Sequence, residues 1–166
     1  MSTFFYQLTV IITMDNLDEL DIKLLRLLQG NAQLTSKELS IHLNLSLSPI
    51  YERIKRLERE GYIQRYTALL NKEKLGFSLI AFCHVSLKEH ANHYLVKFEK
   101  EILQFEEVVA CYHVTGNFDY MLKVLIKDMK EYQHFIVNKL AMLENIGNAQ
   151  SQFVMTEIKD ASEIPI

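Results

Sequence analysis

Between Leu45 and Gly61 the chain reads LSLSPIYERIKRLEREG and gathers the side chains best suited to meet an anion. Ser46, Ser48 and Tyr51 carry hydroxyls; Lys55, Arg56 and Arg59 carry positive charge. Arginine offers a planar fork of donors that matches phosphates and guanine edges, so this grouping points to nucleic-acid chemistry. Ser48 followed by Pro49 reads as an N-cap and a first helical residue, because the N–H that proline lacks would be unpaired there anyway. A helix is therefore expected from Pro49, with Gly61 as its left-handed stop. At 100° per residue Ile50, Ile54 and Leu57 fall on one side. Glu52, Lys55, Arg56 and Arg59 fall on the other, with Tyr51 and Arg53 on the flanks. The plainer alternative is a solvated face balanced by pairs such as Glu52 with Arg56, and Arg53 is equally suited to a neighbouring carboxylate.

A second grouping lies at Val114–Tyr120, VTGNFDY. A glycine turn exposes N–H groups to an anion, and a carboxylate supplies the counter-charge for a cation. Read by itself, the stretch is a hairpin connection in which Gly116 takes positive φ and Asp119 bonds its own backbone. His90 and His93 make an H-x-x-H beside Glu89, too few ligands for a metal, and a solvated face is the better reading. His113, next to the glycine turn, is placed to touch an effector, although a strand histidine is usually structural. The sequence has no phosphate-binding loop, nucleophile elbow or paired-carboxylate constellation, so no catalytic residue, cofactor or metal is expected.

These groups need elements to hold them. Leu20, Leu24, Leu27 and Leu28 repeat at helical spacing from Asp18 to Gln29. Thr35-Ser36-Lys37-Glu38 forms a T-x-x-E capping box for a second, short helix that ends at Asn44, where a left-handed residue would tighten the turn. Adding the Ser48-capped helix gives a helix-turn-helix over about residues 36–55. The alternation of Ile63, Arg65, Thr67 and Leu69 predicts a short hairpin wing. The remainder predicts strand Phe77–Leu87, helix Ala91–Phe105, strand Val108–Thr115, strand Tyr120–Ile126, helix Met129–Leu143 and strand Gln150–Ile158. That β-α-β-β-α-β order describes a ferredoxin-like antiparallel sheet with both helices on one face. Its strands are apolar on both sides over much of Leu79–Val85 and Met121–Ile126, which implies a second copy covering the open face. The fold class is α+β: extension 1–16, winged helix-turn-helix 17–72, linker 73–76, ferredoxin-like domain 77–160 and tail 161–166.

The formal net charge of −3 hides an asymmetry. Leu17–Lys72 holds nine Lys and Arg against seven Asp and Glu; from Glu73 onward the figures are nine against thirteen. All five arginines (Arg26, Arg53, Arg56, Arg59, Arg65) precede Glu73, which marks the first part as the anion-facing one. Its excess charge is small, so copies must act together to bind DNA firmly. Cys83 and Cys111 lack CxxC spacing and read as free thiols in a reducing cytoplasm. No segment has the length of a membrane span. The apolar run Phe4–Met14 lacks a basic flank and a cleavage site for a signal peptide. It is expected to be a β-prone arm that adds a strand to a neighbouring subunit or folds back on its own, with Met14 as an alternative start.

Taken together, LDELDIKLLRLL, SKELSIHLNLSLSPIYERIKRLEREGYIQRYTALLN and VTGNFDYML resemble the leucine-responsive regulatory protein/AsnC (Lrp/AsnC) family of bacterial and archaeal transcription regulators. The resemblance spans Leu17 to about Lys159 and rests on two unrelated motifs in the right order. Leu47 and Asn44 depart from the proline and glycine common in the family at those positions. The resemblance implies a winged helix joined to a ferredoxin-like amino-acid-sensing domain, homodimers that assemble into octamers, and effectors bound between dimers. It implies operator contacts from Ser46, Ser48, Pro49, Tyr51, Lys55, Arg56 and Arg59, with Ser36 and Lys37 on the DNA backbone. For the effector it implies Gly116, Asn117 and Asp119, with Met129 and Val154 as apolar lining from the dimer–dimer contact. The rival is an enzyme on the same plan, a sirohaem decarboxylase; a third reading uses the winged helix for protein contacts alone.

Overall fold

The computed structural model describes residues 16–160 and 163–166; the expectations for Met1–Thr13 and Met14 lie outside them. The chain divides into two compact units, with the boundary between Leu69 and Leu70.

The first unit is a three-helix cluster: α1 (Glu19–Gly30), α2 (Ser36–Leu43) and α3 (Leu47–Arg59). Its core is Leu24, Leu28, Leu39, Ile50 and Leu57, one apolar stripe from each helix. Each helix start is built locally. Asp18 accepts from the Asp21 N–H at 2.8 Å while the Asp21 carboxylate accepts from the Asp18 N–H, a reciprocal capping box. Thr35 and Glu38 do the same for α2, as expected from the sequence. Asn44 takes the left-handed conformation at φ 53°, ψ 47°, and the Leu45 N–H returns to the Ser40 carbonyl at 3.0 Å, closing the turn into α3. At the far end of α1, Gln29 exchanges two hydrogen bonds of 2.9 Å with the Ile164 backbone.

Two expectations for this unit are corrected. Helix α3 begins at Leu47 with Ser46 as its N-cap, two residues before Pro49. Proline is tolerated anywhere the helical N–H has no partner, which includes the third helical position that Pro49 occupies. Having no N–H, Pro49 also removes the donor an N-cap side chain most often binds, and Ser46 makes no side-chain cap bond. The hairpin over Ile63–Leu69 is absent; among the described residues 62–71 contain no strand. No Gly, Asn or Pro separates its two arms, so alternation alone had no turn to fold around.

The second unit is a four-stranded sheet in the order β2-β3-β1-β4, with β1 (Leu79–Leu87), β2 (Val108–His113), β3 (Tyr120–Ile126) and β4 (Ile146–Phe153). All three pairings are antiparallel. Helices α4 (Asn92–Ile102) and α5 (Met129–Asn138) bury Phe98, Ile102, Tyr132 and Phe135 against Ala81, Cys83, Val85, Leu122 and Val124 of the central strands. The opposite face carries Phe82, His84, Met121 and Leu125, each half-buried.

Strand β4 is a third correction, for it begins at Ile146 and ends at Phe153. Its opening Ile-Gly-Asn-Ala does not look strand-like, yet Gly147 is there for contact. A Cβ at that position would lie 3.1 Å from the Ser86 carbonyl oxygen, beside a bulge in β1. The predicted helix Met129–Leu143 likewise stops at Asn138 and is followed by a 3-10 turn, Leu140–Met142.

Candidate nucleic-acid interface and ligand loop

The outer side of α3 presents what a recognition helix needs. Ser46, Ser48, Tyr51, Lys55 and Arg59 are exposed, Pro49 is half-buried in the first turn, and Ile50 and Leu57 are buried. Ser36 and Lys37 lie at the start of α2, half-buried and exposed respectively. Lys55 pairs with Glu58 at 2.8 Å and stands 5.8 Å from the centre of the Tyr51 ring. The hydrogen bond that Lys55 donates to the Glu58 carboxylate raises the Lys55 pKa above the ordinary lysine value. Glu58 also accepts from the Tyr66 hydroxyl at 3.1 Å. Arg59, 73% exposed, has its nearest carboxylate at 3.8 Å in Glu60.

Arg56 is not the free cation expected of it. Its guanidinium bonds the Asp21 carboxylate of α1, and Arg53 bonds the other oxygen of the same carboxylate at 2.7 Å. Arg53 also reaches Asp18 at 2.7 Å. The Glu52–Arg56 pair read from helical spacing gives way to this partner on another helix. Burial alone would raise the Asp21 pKa, but the bonds from Arg56, the Asp18 N–H and Arg53 outweigh it and hold the group below the ordinary aspartate value. Asp21 went unremarked among the candidates in the sequence. The signal was its place at the same helical face as Leu24 and Leu28, where a charge must find a partner.

In the second unit Gly116 has φ 118°, a conformation open to glycine, and turns β2 into β3. Asp119 is held from several sides. Its N–H donates to Val85 O, its own carbonyl accepts from Val114, and one carboxylate oxygen accepts from the Leu87 N–H at 2.7 Å. The other oxygen lies 2.9 Å from Nε2 of His90. His90 is delivered by Asn145, whose amide clasps the Glu89 backbone through two bonds of 2.9 and 2.7 Å. The Asn117 carbonyl accepts from Ser86 Oγ at 3.3 Å.

Met129 and Val154 do not join this loop within one chain. The Val154 N–H bonds Ile80 at the opening of β1, and Met129 opens α5 just past the end of β3. Both therefore lie at the opposite end of the central strands from Gly116, a strand length of about 20 Å. Met129 borders a shallow cavity of about 490 Å³ along α5 with Tyr132, Ile136 and Val137. Val154 borders another of about 460 Å³ with Ile80, Phe82 and Lys123. His113 stacks on Tyr120 at 4.7 Å. The thiols are free, and burial pushes Cys111 up to about 11. β3 separates the two cysteines, since Leu122 pairs with both, which puts them too far apart for a disulfide.

Residues 17–64 match the sequence family described as winged helix-turn-helix DNA-binding, and residues 80–164 match the Lrp/AsnC ligand binding domain. The chain belongs to the Lrp/AsnC family. It is an Lrp/AsnC transcriptional regulator with a DNA-binding helix-turn-helix and a ligand-binding domain. It is 37% identical to the Bkd operon transcriptional regulator of Pseudomonas aeruginosa over 153 residues, 92% of this chain and 100% of that protein. It is 36% identical to the leucine-responsive regulatory protein of Escherichia coli K12 over 151 residues, 91% of this chain and 92% of that one. Among solved structures, a transcriptional regulator from Neisseria meningitidis in complex with L-Met superposes with a TM-score of 0.86 at 38% identity, covering 90% of this chain and 96% of that chain. The Lrp/AsnC relatives are transcriptional regulators, and among the described residues no helix is long and apolar enough to cross a membrane.

Proposed function

We propose that this Lrp/AsnC protein is an amino-acid-responsive regulator that reads a pseudo-palindromic operator with α3 and acts in the cytoplasm as a homodimer assembling into octamers. The observation that carries the DNA half is the exposed outer side of α3, with Ser46, Ser48 and Tyr51 at its first turns and Lys55 and Arg59 beyond them. Helix N-termini attract phosphate, and a short left-handed turn before a helix is the geometry that sets a recognition helix into the major groove. Ser36 and Lys37 would contact the DNA backbone, with Pro49 shaping the first turn. Arg56 drops out of the contact set because Asp21 holds it.

For the effector, Asp119 supplies an exchangeable counter-charge. Its Oδ2 is committed to Leu87, whereas Oδ1 faces His90, which is 61% exposed and able to leave. An α-ammonium can take that place, with Gly116 and Asn117 N–H groups near a carboxylate. Met129 and Val154, at the other end of the sheet, would reach the same ligand from a neighbouring subunit. The L-Met complex of the Neisseria meningitidis relative supports an amino acid as ligand. No observation favours the sirohaem decarboxylase reading.

The test selects operators from random duplex DNA with the purified protein and follows binding with and without each common amino acid. Expected are paired half-sites about 10 bp or a multiple apart and a shift in affinity with one or a few amino acids. No sequence selection would sink the DNA reading, and no calorimetric heat with any amino acid would sink the effector reading.

A further inference from the structure

The recognition helix carries four cations, and the structure divides them into two pairs. Lys55 and Arg59, four residues apart, stand on the exposed side; Arg53 and Arg56, three apart, turn toward α1. What holds the second pair is one carboxylate. Asp21 is 0% exposed, and both of its oxygens are occupied by guanidinium groups, with the Asp18 N–H as a third donor. Arg53 is further engaged by Asp18, so both residues of the α1 capping box face α3. The side chains of Arg53 and Arg56 remain 25% and 31% exposed. They are close enough to solvent to reach a phosphate if released.

We propose that Asp21 is a specificity-determining and positioning residue: it withdraws two of the four α3 cations from the DNA phosphates and fixes the rotation of α3 against α1. Phosphate contacts add affinity for every sequence alike, while hydroxyls and base-edge contacts discriminate. A helix offering all four cations would bind every duplex more tightly, the operator included, and gain no discrimination between them. Tying Arg53 and Arg56 to a buried carboxylate leaves non-specific affinity low and lets the exposed hydroxyls decide. The same two bonds set which side of α3 faces outward.

The proposal rests on the DNA-reading role of α3, and the experiment separates the two. Binding of the full chain is measured by fluorescence anisotropy on a selected operator and on a scrambled duplex across a salt series. Asp21→Asn keeps the shape and one acceptor but removes the charge. Affinity for the scrambled duplex should rise about tenfold at low salt and its log–log salt slope should steepen by about 1 to 2; because α3 also loses the bonds that fix its rotation, base contacts at the operator weaken and the operator-to-scrambled ratio should fall about tenfold. A merely structural aspartate would lower the melting temperature and leave slope and ratio unchanged, which would overturn the proposal. Should Asp21→Asn fail to fold, Arg56→Gln decides. With Asp21 holding Arg56, the scrambled-duplex slope stays at the wild-type value, whereas Arg59→Gln lowers it by about 0.9. An equal drop in both overturns the proposal. A wild-type chain that binds neither duplex overturns this proposal and the DNA reading together.

Discussion

Asp21 and Asp119 are the two carboxylates that anchor the two units, and their surroundings are opposite. Asp21 is sealed between helices and neutralised by two side-chain cations from a distant part of the chain. Asp119 lies in a turn, is 20% exposed at its side chain, and takes one backbone N–H and one histidine that is itself largely exposed. A guanidinium is charged at any pH a protein meets and its fork fits a carboxylate twice over, so the first site is a lock. The second site holds one oxygen firmly and the other loosely. A carboxylate with a replaceable partner at the surface can receive a ligand, and one closed by buried ion pairs can only position.

The largest effect should come from opening the lock. Asp21→Ala removes the shared partner of Arg53 and Arg56; breaking a fully buried pair costs about 3–5 kcal/mol, and because these guanidiniums are 25% and 31% exposed and can turn to solvent the loss should fall toward the lower end, about 3 kcal/mol. Thermal unfolding of the first unit should show it, and a loss below about 1 kcal/mol would mean water already shares the site. The pH dependence has a definite sign. Because the folded pKa of Asp21 lies below the 3.8 of an ordinary aspartate, its contribution is complete above that value. It is lost as pH falls from there through the lower folded pKa, since the unfolded chain takes up the proton first. Acid unfolding of the first unit should therefore steepen below about pH 4 in the wild type and less so in Asp21→Asn.

Asp119→Ala should cost less, about 1–3 kcal/mol, for it strands the Leu87 N–H at the end of β1 without separating buried charges. Chemical denaturation of the second unit measures that cost, and effector calorimetry on the same protein measures the loss of ligand. A variant that keeps full effector affinity would reduce Asp119 to a turn residue. Thr35→Ala, which removes the α2 cap bond without touching either carboxylate, should cost about 1 kcal/mol and serves as the scale for a purely local change.

Local chemistry was legible and long-range pairing was not. The Thr35–Glu38 capping box, the left-handed Asn44 and the Gly61 stop at φ 79° are each decided within a few residues, and the sequence shows all three. Ser48 reads as the cap of α3 in the sequence, whereas Ser46 takes that place in the structure. Proline disfavours a helical residue before it, yet Ser48 is helical, held by the packing of Ile50 and Leu57. Strand β4 was misplaced because Gly147 and Asn148 look like turn residues until β1 is beside them. At the candidate interface, exposure of Tyr51, Lys55 and Arg59 follows from helical period alone. The capture of Arg56 does not, since its partner lies 35 residues away on α1.

The smallest effect on stability tests the loose half of the comparison most sharply. His90→Ala removes an exposed ring from one oxygen of Asp119 while the Leu87 bond remains, so stability should change by no more than about 0.5 kcal/mol. Effector affinity should nevertheless rise, because the incoming ammonium no longer has to displace the imidazole from Oδ1. Calorimetric titration of wild type and His90→Ala with the same amino acid reads this directly. If the variant binds more weakly, His90 is part of the cradle and stays in place when the ligand arrives. Asp119 would then be as closed as Asp21, and the carboxylate that receives the ammonium must lie elsewhere on the ligand-binding domain.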